Sequence, residues 1–248
     1  MARGLDETSF QRLEASAPVT TMPLALACRY RVPAIGGGKG MVELHKNGAG
    51  GHKYELFFQG APLRCQVFNS SGKEFAQTTD WSVAGQWHTA VAVFASTTSR
   101  SIYLDNDKAT DTTSYAAPSG IDTLRIGVWG WSSPSYQYYF TGDVADVLVL
   151  NGAPTDSQVA SFSAGAHPQQ AFGGLVAAHY PLGGLDGNHD RDLISGTTLS
   201  TSGGPTWVEH PDGLIYPTAP QFVLPSYVEA GGDSLATSAF QLGMFIND

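Results

Sequence analysis

From Pro23 onward the apolar and polar positions alternate. Leu24, Leu26, Cys28 and Tyr30 interleave with Ala25, Ala27, Arg29 and Arg31. Successive strand residues point to opposite faces, so a period of two predicts a strand. Gly36-Gly37-Gly38 ends it, and residues 41–44 form the next short apolar run. Tyr54-Glu55-Leu56-Phe57-Phe58 and residues 63–68 predict two further strands, with Gly60 and Pro62 at the turn between them. The clearest strand is Trp87-His88-Thr89-Ala90-Val91-Ala92-Val93-Phe94, and residues 101–105 pair with it across a Ser/Thr loop. Residues 124–128, 138–142 and 144–150 follow in the same manner, the last carrying Asp146 in an apolar run. Short strands with turn signals every 8–12 residues or so indicate an all-β antiparallel sandwich.

Two segments depart from period two. Thr155 with Gln158 three residues on makes a capping box, and Val159 and Phe162 share one face, which predicts one short helix. Residues 5–15 predict a helical lead with Phe10 and Leu13 on one side. We divide the chain into an N-terminal arm (1–19), the sandwich (20–172), a strand-and-turn segment that completes it (173–204), and an extended C-terminal arm (205–248). Prolines at 205, 211, 217, 220 and 225 exclude a helix or a central strand from that arm. It is nevertheless apolar, with Leu214, Ile215, Tyr216, Phe222, Val223, Leu224 and Tyr227, and an extended apolar segment needs a surface to lie on.

Composition narrows the function classes. Charged residues are 14 % against the roughly 25 % usual in soluble chains, with a formal net charge of −9. No Lys/Arg cluster is present, which speaks against nucleic acid and against an anionic membrane surface. No apolar run reaches a membrane span and the N-terminus has no signal-peptide pattern. Cys28 and Cys65 lie in apolar stretches; two buried free thiols are the simpler reading, a disulfide between strands the alternative.

Several stretches together resemble laminin-G-like domains of the concanavalin A-like lectin/glucanase superfamily. Trp87 to Val93 followed by Ile102-Tyr103-Leu104-Asp105-Asn106 is similar to that family's W-H hairpin, although Asn106 stands where Gly is usual. Phe140-Thr141-Gly142-Asp143-Val144-Ala145-Asp146-Val147 and the helix start at Ala153-Pro154-Thr155 are similar to its later strand and helix. The early strand at 24–32 carries Tyr30 where Trp is common. Leu175 to Leu182 and Asp192-Leu193-Ile194-Ser195-Gly196 resemble the family's first strand and turn, displaced to the end of the domain. The resemblance covers about residues 20–165 and implies a jelly-roll sandwich; the late segment either fills the missing edge strand or belongs to an appendage, and we expect the first, because an open apolar edge invites aggregation.

Catalysis finds little support at this level. The related glucanases carry an E-x-D-x-E triplet on one strand, and none occurs here. Asp143 and Asp146, three apart, are expected on opposite faces, with Asp146 holding a turn or loop by hydrogen bonds. His88 reads as a packing residue. Asp105 with Asp107, and Asp186 with Asp190 in an Asp/Asn-alternating loop, are candidate calcium ligands, since oxygen-rich loops at sandwich rims hold that ion; no other cofactor is implied. Trp129, Trp131, Tyr136 and Tyr138 form the candidate ligand-binding stretch, because large rigid rings serve both sugars and protein interfaces.

These features point to a non-enzymatic binding or structural protein. The first expectation is a virion component of a tailed bacteriophage, a capsid decoration or tail or fibre protein. It would be made in the host cytoplasm, and would dock through the C-terminal arm on other virion proteins and on itself as a homo-oligomer such as a trimer. The alternative is an adhesin-like module that binds glycans, and the third reading is a sandwich-fold glycosidase.

Overall fold

The computed structural model describes residues 2–5, 10–34, 38–48, 51–60, 62–132, 135–182, 190–203 and 206–208. Two units divide the chain, Met1–Tyr216 and Pro217–Asp248, and every described residue belongs to the first. In chain order the first strands are β1 (Ala2–Leu5), β2 (Arg12–Ser16), β3 (Leu24–Arg31), β4 (Gly38–His45), β5 (Lys53–Gln59), β6 (Pro62–Asn69) and β7 (Gly72–Trp81). They are followed by β8 (Trp87–Ser96), β9 (Ser99–Leu104), β10 (Asp107–Asp111), β11 (Thr123–Ile126), β12 (Val128–Ser132), β13 (Ser135–Tyr139) and β14 (Gly142–Leu150). Helices α1 (Asp156–Ser163) and α2 (Pro168–Phe172) precede β15 (Val176–Tyr180), β16 (Ser200–Ser202) and β17 (Thr206–Val208).

The strands build two antiparallel sheets. An eight-stranded sheet runs β10-β9-β8-β3-β14-β1-β17, with β15 also on β14. A seven-stranded sheet runs β16-β2-β11-β4-β5-β6-β7, and β12–β13 is a separate hairpin. The sandwich core lies between the sheets: Leu24, Leu26, Cys28 and Tyr30 from β3 meet Tyr54, Leu56 and Phe58 from β5 in one buried cluster. Each such aliphatic side chain contributes about 1.5–3 kcal/mol by leaving water. Both cysteines are buried in this cluster as free thiols.

β3 is buried on both faces. Its Ala25 and Ala27 join Val91, Val93, Leu148 and Leu150 in a second cluster under Val159, Phe162 and Phe172 of the helices. Small side chains on the strand let the rings of the helices come close. The α1 start carries the expected capping box: Gln158 N donates to Thr155 Oγ1 at 3.3 Å and Thr155 N to Gln158 Oε1 at 2.9 Å. A second short helix, α2, follows the one expected.

Among the described residues of the segment 5–15 there is no helix. Leu13 and Ala15 turn to the core while Arg12 and Glu14 turn away, and β2 is laddered between β11 and β16. The 1–19 stretch thus supplies β1 and β2 to the two sheets, with Phe10 between them exposed and edge-on to Tyr139.

A bulge organises the far edge. The register of β14 with β3 shifts between Ala145 and Leu148, and Asp146 sits there with φ of 47°. The other edge of β14 pairs with β1 through residues 142–144 and with β15 through residues 147–150. At this change of partner the fully buried Asp146 lies 3.6 Å from Arg29 Nε and 3.1 Å from His179 Nε2. Asp143 and Asp146 are therefore not on opposite faces: Asp143 pairs with Arg31 at 2.7 Å and Asp146 with Arg29, and Arg29 and Arg31 are two apart on one side of β3. The residue added by the bulge resets the alternation. Asp192 fastens the next turn, accepting from His179 N at 2.7 Å, Ile194 N at 3.1 Å and Ser195 N at 2.9 Å.

Candidate functional site

Alternation turns half of the seven-stranded sheet away from the core. Tyr54, Leu56 and Phe58 point inward, so Lys53, Glu55 and Phe57 point outward. On that outer face the strand register aligns one residue from every strand. Ser200 stands opposite Glu14, Glu14 opposite Arg125, Arg125 opposite Glu43, Glu43 opposite Glu55, Glu55 opposite Gln66, and Gln66 opposite Phe75. The neighbouring row holds Thr123, His45, Lys53 and Phe68.

The centre of this face is a buried ionic network. Arg125 reaches Glu14 at 2.7 Å and Glu43 at 3.3 Å, Lys53 pairs with Glu55, and Gln66 Nε2 donates to Glu55 at 2.6 Å. Arg125, Glu43, Lys53, Glu55 and Gln66 are each at most 2 % exposed. Burial pushes the Glu43 carboxyl up to about 7, against the pull of Lys53 and Arg125. Burial also raises Glu55, opposed by Lys53 and Gln66. His45 falls to about 4, through burial and the nearby Arg125 charge. Glu43 Oε2, His45 Nε2 and Gln66 Oε1 make no hydrogen bond among the described residues.

The β12–β13 hairpin lies over this face. A Cβ built on Gly40 of β4 would stand 2.3 Å from the backbone nitrogen of Trp129, so the hairpin rests directly on the glycine. The Trp129 ring stacks on Phe57 (centroids 5.4 Å apart, 10° between planes), and Tyr138 packs on Trp129 at 4.6 Å. Lys53 Nζ lies 5.1 Å from the centre of the Trp129 ring and donates to Gly130 O at 3.2 Å. Tyr138 is 40 % exposed. Lys53 and Phe57 thus anchor a Trp129–Tyr138 pair whose outer ring meets solvent, which gives a rigid apolar platform beside charged side chains.

The sequence-level candidates fall into three groups. Trp129 and Tyr138 come together as described, whereas the side chains of Trp131 and Tyr136 lie outside the described residues. Asp105 is tied to the fold: its carboxylate accepts from His88 Nδ1 at 2.8 Å and from Thr89 N at 2.8 Å. Asp107 begins β10 and Asp190 lies in the turn before Arg191, while Asp186 falls outside the described residues. Among the described residues no three His, Cys, Asp or Glu side chains converge as a metal-ligand set. Leu214, Ile215, Tyr216, Phe222, Val223, Leu224 and Tyr227 of the arm also lie outside them. The sequence alone does not point to the Glu43–Glu55 pair, because its two carboxylates lie on different strands and meet only through the β4–β5 register. Its one sequence signal is the charge at both 53 and 55 inside the apolar run Tyr54, Leu56, Phe58.

The two-sheet architecture with the covered outer face agrees with a family comparison. The Laminin_G_3 model, described as the Concanavalin A-like lectin/glucanases superfamily, matches residues 8–160. The chain belongs to this superfamily. Solved structures of similar fold include a Bacteroides ovatus protein described as a "putative carbohydrate binding protein", with TM-score 0.58 and 16 % identity over 83 % of this chain. The present chain spans 58 % of that protein's length. A heptameric SAP-like pentraxin of Limulus polyphemus superposes with TM-score 0.57 and 14 % identity, covering 85 % of this chain and 94 % of its own. The CBM40 of the Ruminococcus gnavus IT-sialidase, solved with α2,3-sialyllactose, gives TM-score 0.50 and 11 % identity over 58 % of this chain and 83 % of its own. At such identities the likeness is one of fold. No curated protein matches the chain in sequence.

Proposed function

We propose that this concanavalin A-like sandwich is a non-catalytic carbohydrate-binding module, with the β12–β13 hairpin as its sugar platform. The observation that carries this reading is the Phe57–Trp129–Tyr138 assembly, which presents one ring to solvent beside a charged sheet face. Sugar rings offer apolar C–H faces, and an exposed, rigidly backed aromatic ring answers them. The carbohydrate-binding descriptions of two structures with this fold support the same class.

Catalysis is the weaker reading of this face. Glu43 and Glu55 are each 1 % exposed and are held by Arg125, Lys53 and Gln66. Glycoside hydrolysis needs two carboxyl groups flanking a bound substrate, and this pair is committed to its neighbours. Virion assembly rests on the composition of residues 205–248, of which only 206–208 are among the described residues; the glycan reading is the one that a described surface supports.

The test is an array of immobilised glycans probed with the full chain and with Tyr138→Ala. Retention of specific glycans by the parent and their loss in the variant, with unchanged melting, supports the platform. Undiminished binding by Tyr138→Ala, or a blank array, overturns it.

A further inference from the structure

A second recess lies on the opposite side of the sandwich, at the end of the eight-stranded sheet where α1 finishes. It is an open groove of about 120 Å³ lined by Arg29, Trp87, His88, Thr89, Asp105, Ser163 and Gly165. That volume falls well below the several hundred Å³ of a site for a drug-sized ligand.

The chemistry of its walls is asymmetric. Arg29, at the base, is 4 % exposed and already engaged. Its guanidinium lies 3.6 Å from Asp146 and 3.5 and 3.4 Å from the carbonyls of Phe162 and Ala166. An incoming anion therefore meets a cation whose charge is matched within the protein. The acceptors are more open. The side chain of Asp105 is 46 % exposed, and each of its oxygens takes one hydrogen bond, from His88 or from Thr89 N. A carboxylate has about four lone-pair sites, so half its accepting capacity is left. Ser163 Oγ donates to Asp105 O at 2.8 Å, which leaves its lone pairs to accept as well. Trp87, half-buried with Arg31 at 5.2 Å from its ring centre, adds an aromatic wall.

A small space, an excess of hydrogen-bond acceptors, hydroxyls and one indole wall call for a neutral ligand that brings several O–H donors and a C–H surface. We infer that this groove is a second binding site, which takes the hydroxyl edge of a single neutral sugar residue or a polyol of that size. It is separate from the hairpin platform, on the other sheet, and stands whether or not that platform binds glycans.

The test follows the indole N–H signal of Trp87 in the ¹⁵N-labelled full chain, assigned by its disappearance in Trp87→Phe. The methyl glycosides of glucose, galactose and mannose are titrated to about 50 mM, enough to fill a site of millimolar Kd. The expected result is a saturable shift of that signal with at least one glycoside. Ser163→Leu, which fills the groove, is expected to weaken it tenfold or more, and Tyr138→Ala to leave it unchanged. If Ser163→Leu fails to fold, Thr89→Val carries the same test through loss of one hydroxyl, with binding several-fold weaker expected. No movement of the Trp87 signal overturns the proposal, as does equal binding by a folded groove variant. Displacement of the sugar by sodium acetate at equal concentration also overturns it, since that identifies an anion site. A moving Trp129 signal with a silent Trp87 signal overturns the groove and leaves the platform standing.

Discussion

Glu43 and Glu55 stand directly opposite each other on adjacent strands, each 1 % exposed, on the face of the sheet that is turned from the core. Two like charges so placed repel. Arg125 beside the first and Lys53 beside the second offset that repulsion. The pair therefore makes stability depend on its protons and on its two cations.

The proton dependence has a definite sign. Burial raises Glu43 to about 7 from its ordinary 4.5, and raises Glu55 as well. Between those values the unfolded chain has released a proton that the folded chain still binds, so stability falls as pH rises through this window. We expect the unfolding free energy from urea titrations to decrease from pH 5 to pH 8, by up to a few kcal/mol. Glu43→Gln is expected to flatten that slope; an unchanged slope in the variant would assign it to other groups.

Lys53 answers more than one partner. It pairs with Glu55, donates to Gly130 O and sits against Trp129. Lys53→Met keeps the stem but leaves a buried carboxylate without its cation, at a cost of about 3–5 kcal/mol. For a domain of this size that corresponds to a melting temperature lower by roughly 10 °C, read by calorimetry. The deficit is expected to shrink at pH 5, where the carboxyls take up protons.

At the other end of the molecule, Asp105 raises the pKa of His88, chiefly through their hydrogen bond, against the opposing effect of burial. A histidine raised in the folded state contributes stability that is complete below its unfolded value near 6.5 and is lost as pH climbs through the folded one. Asp105→Asn suits the backbone, because Asn tolerates the positive φ of 53° found there. In ¹H–¹⁵N titrations the variant is expected to move the His88 midpoint downward, at a stability cost of about 1–3 kcal/mol. A midpoint that stays put would exclude this pair as the cause.

The two thiols offer a chemical check on the core. Burial holds Cys65 up at about 12 and Cys28 higher still, and both are fully buried. Only the thiolate attacks a disulfide reagent. Native protein at pH 8 is expected to leave Ellman's reagent unreacted, and denatured protein to release two equivalents per chain. Rapid native reaction of either thiol would contradict the burial of Cys28 and Cys65 in the core.

What was legible in the sequence followed from local rules. Period two marks β3, β5 and β8, and Thr155 with Gln158 marks the start of α1. The segment 5–15 misleads because Phe10 and Leu13, three apart, satisfy a helix as well as a strand; its partners β11 and β16 lie more than a hundred residues away and decide the outcome. Bulges account for the site residues that were missed. The register of β4 against β5 shifts between Gly40 and Val42, and that of β14 against β3 around Asp146. Neither shift has a sequence signature; the first sets where Gly40 meets Phe57 and the second which charges meet around Asp146. The aromatic stretch was visible by composition alone; that Trp129 lies on Phe57 depends on the hairpin folding back over β4.

The absence of a side chain at residue 40 sets the height of the platform. Any Cβ there would stand 2.3 Å from Trp129 N, a contact that backbone cannot yield to without moving the whole hairpin. A single methyl group at this position would act as a wedge. It would lift the rings from Phe57 and Lys53 while leaving the core between the two sheets untouched, and so separate the proposed recognition from folding within one domain.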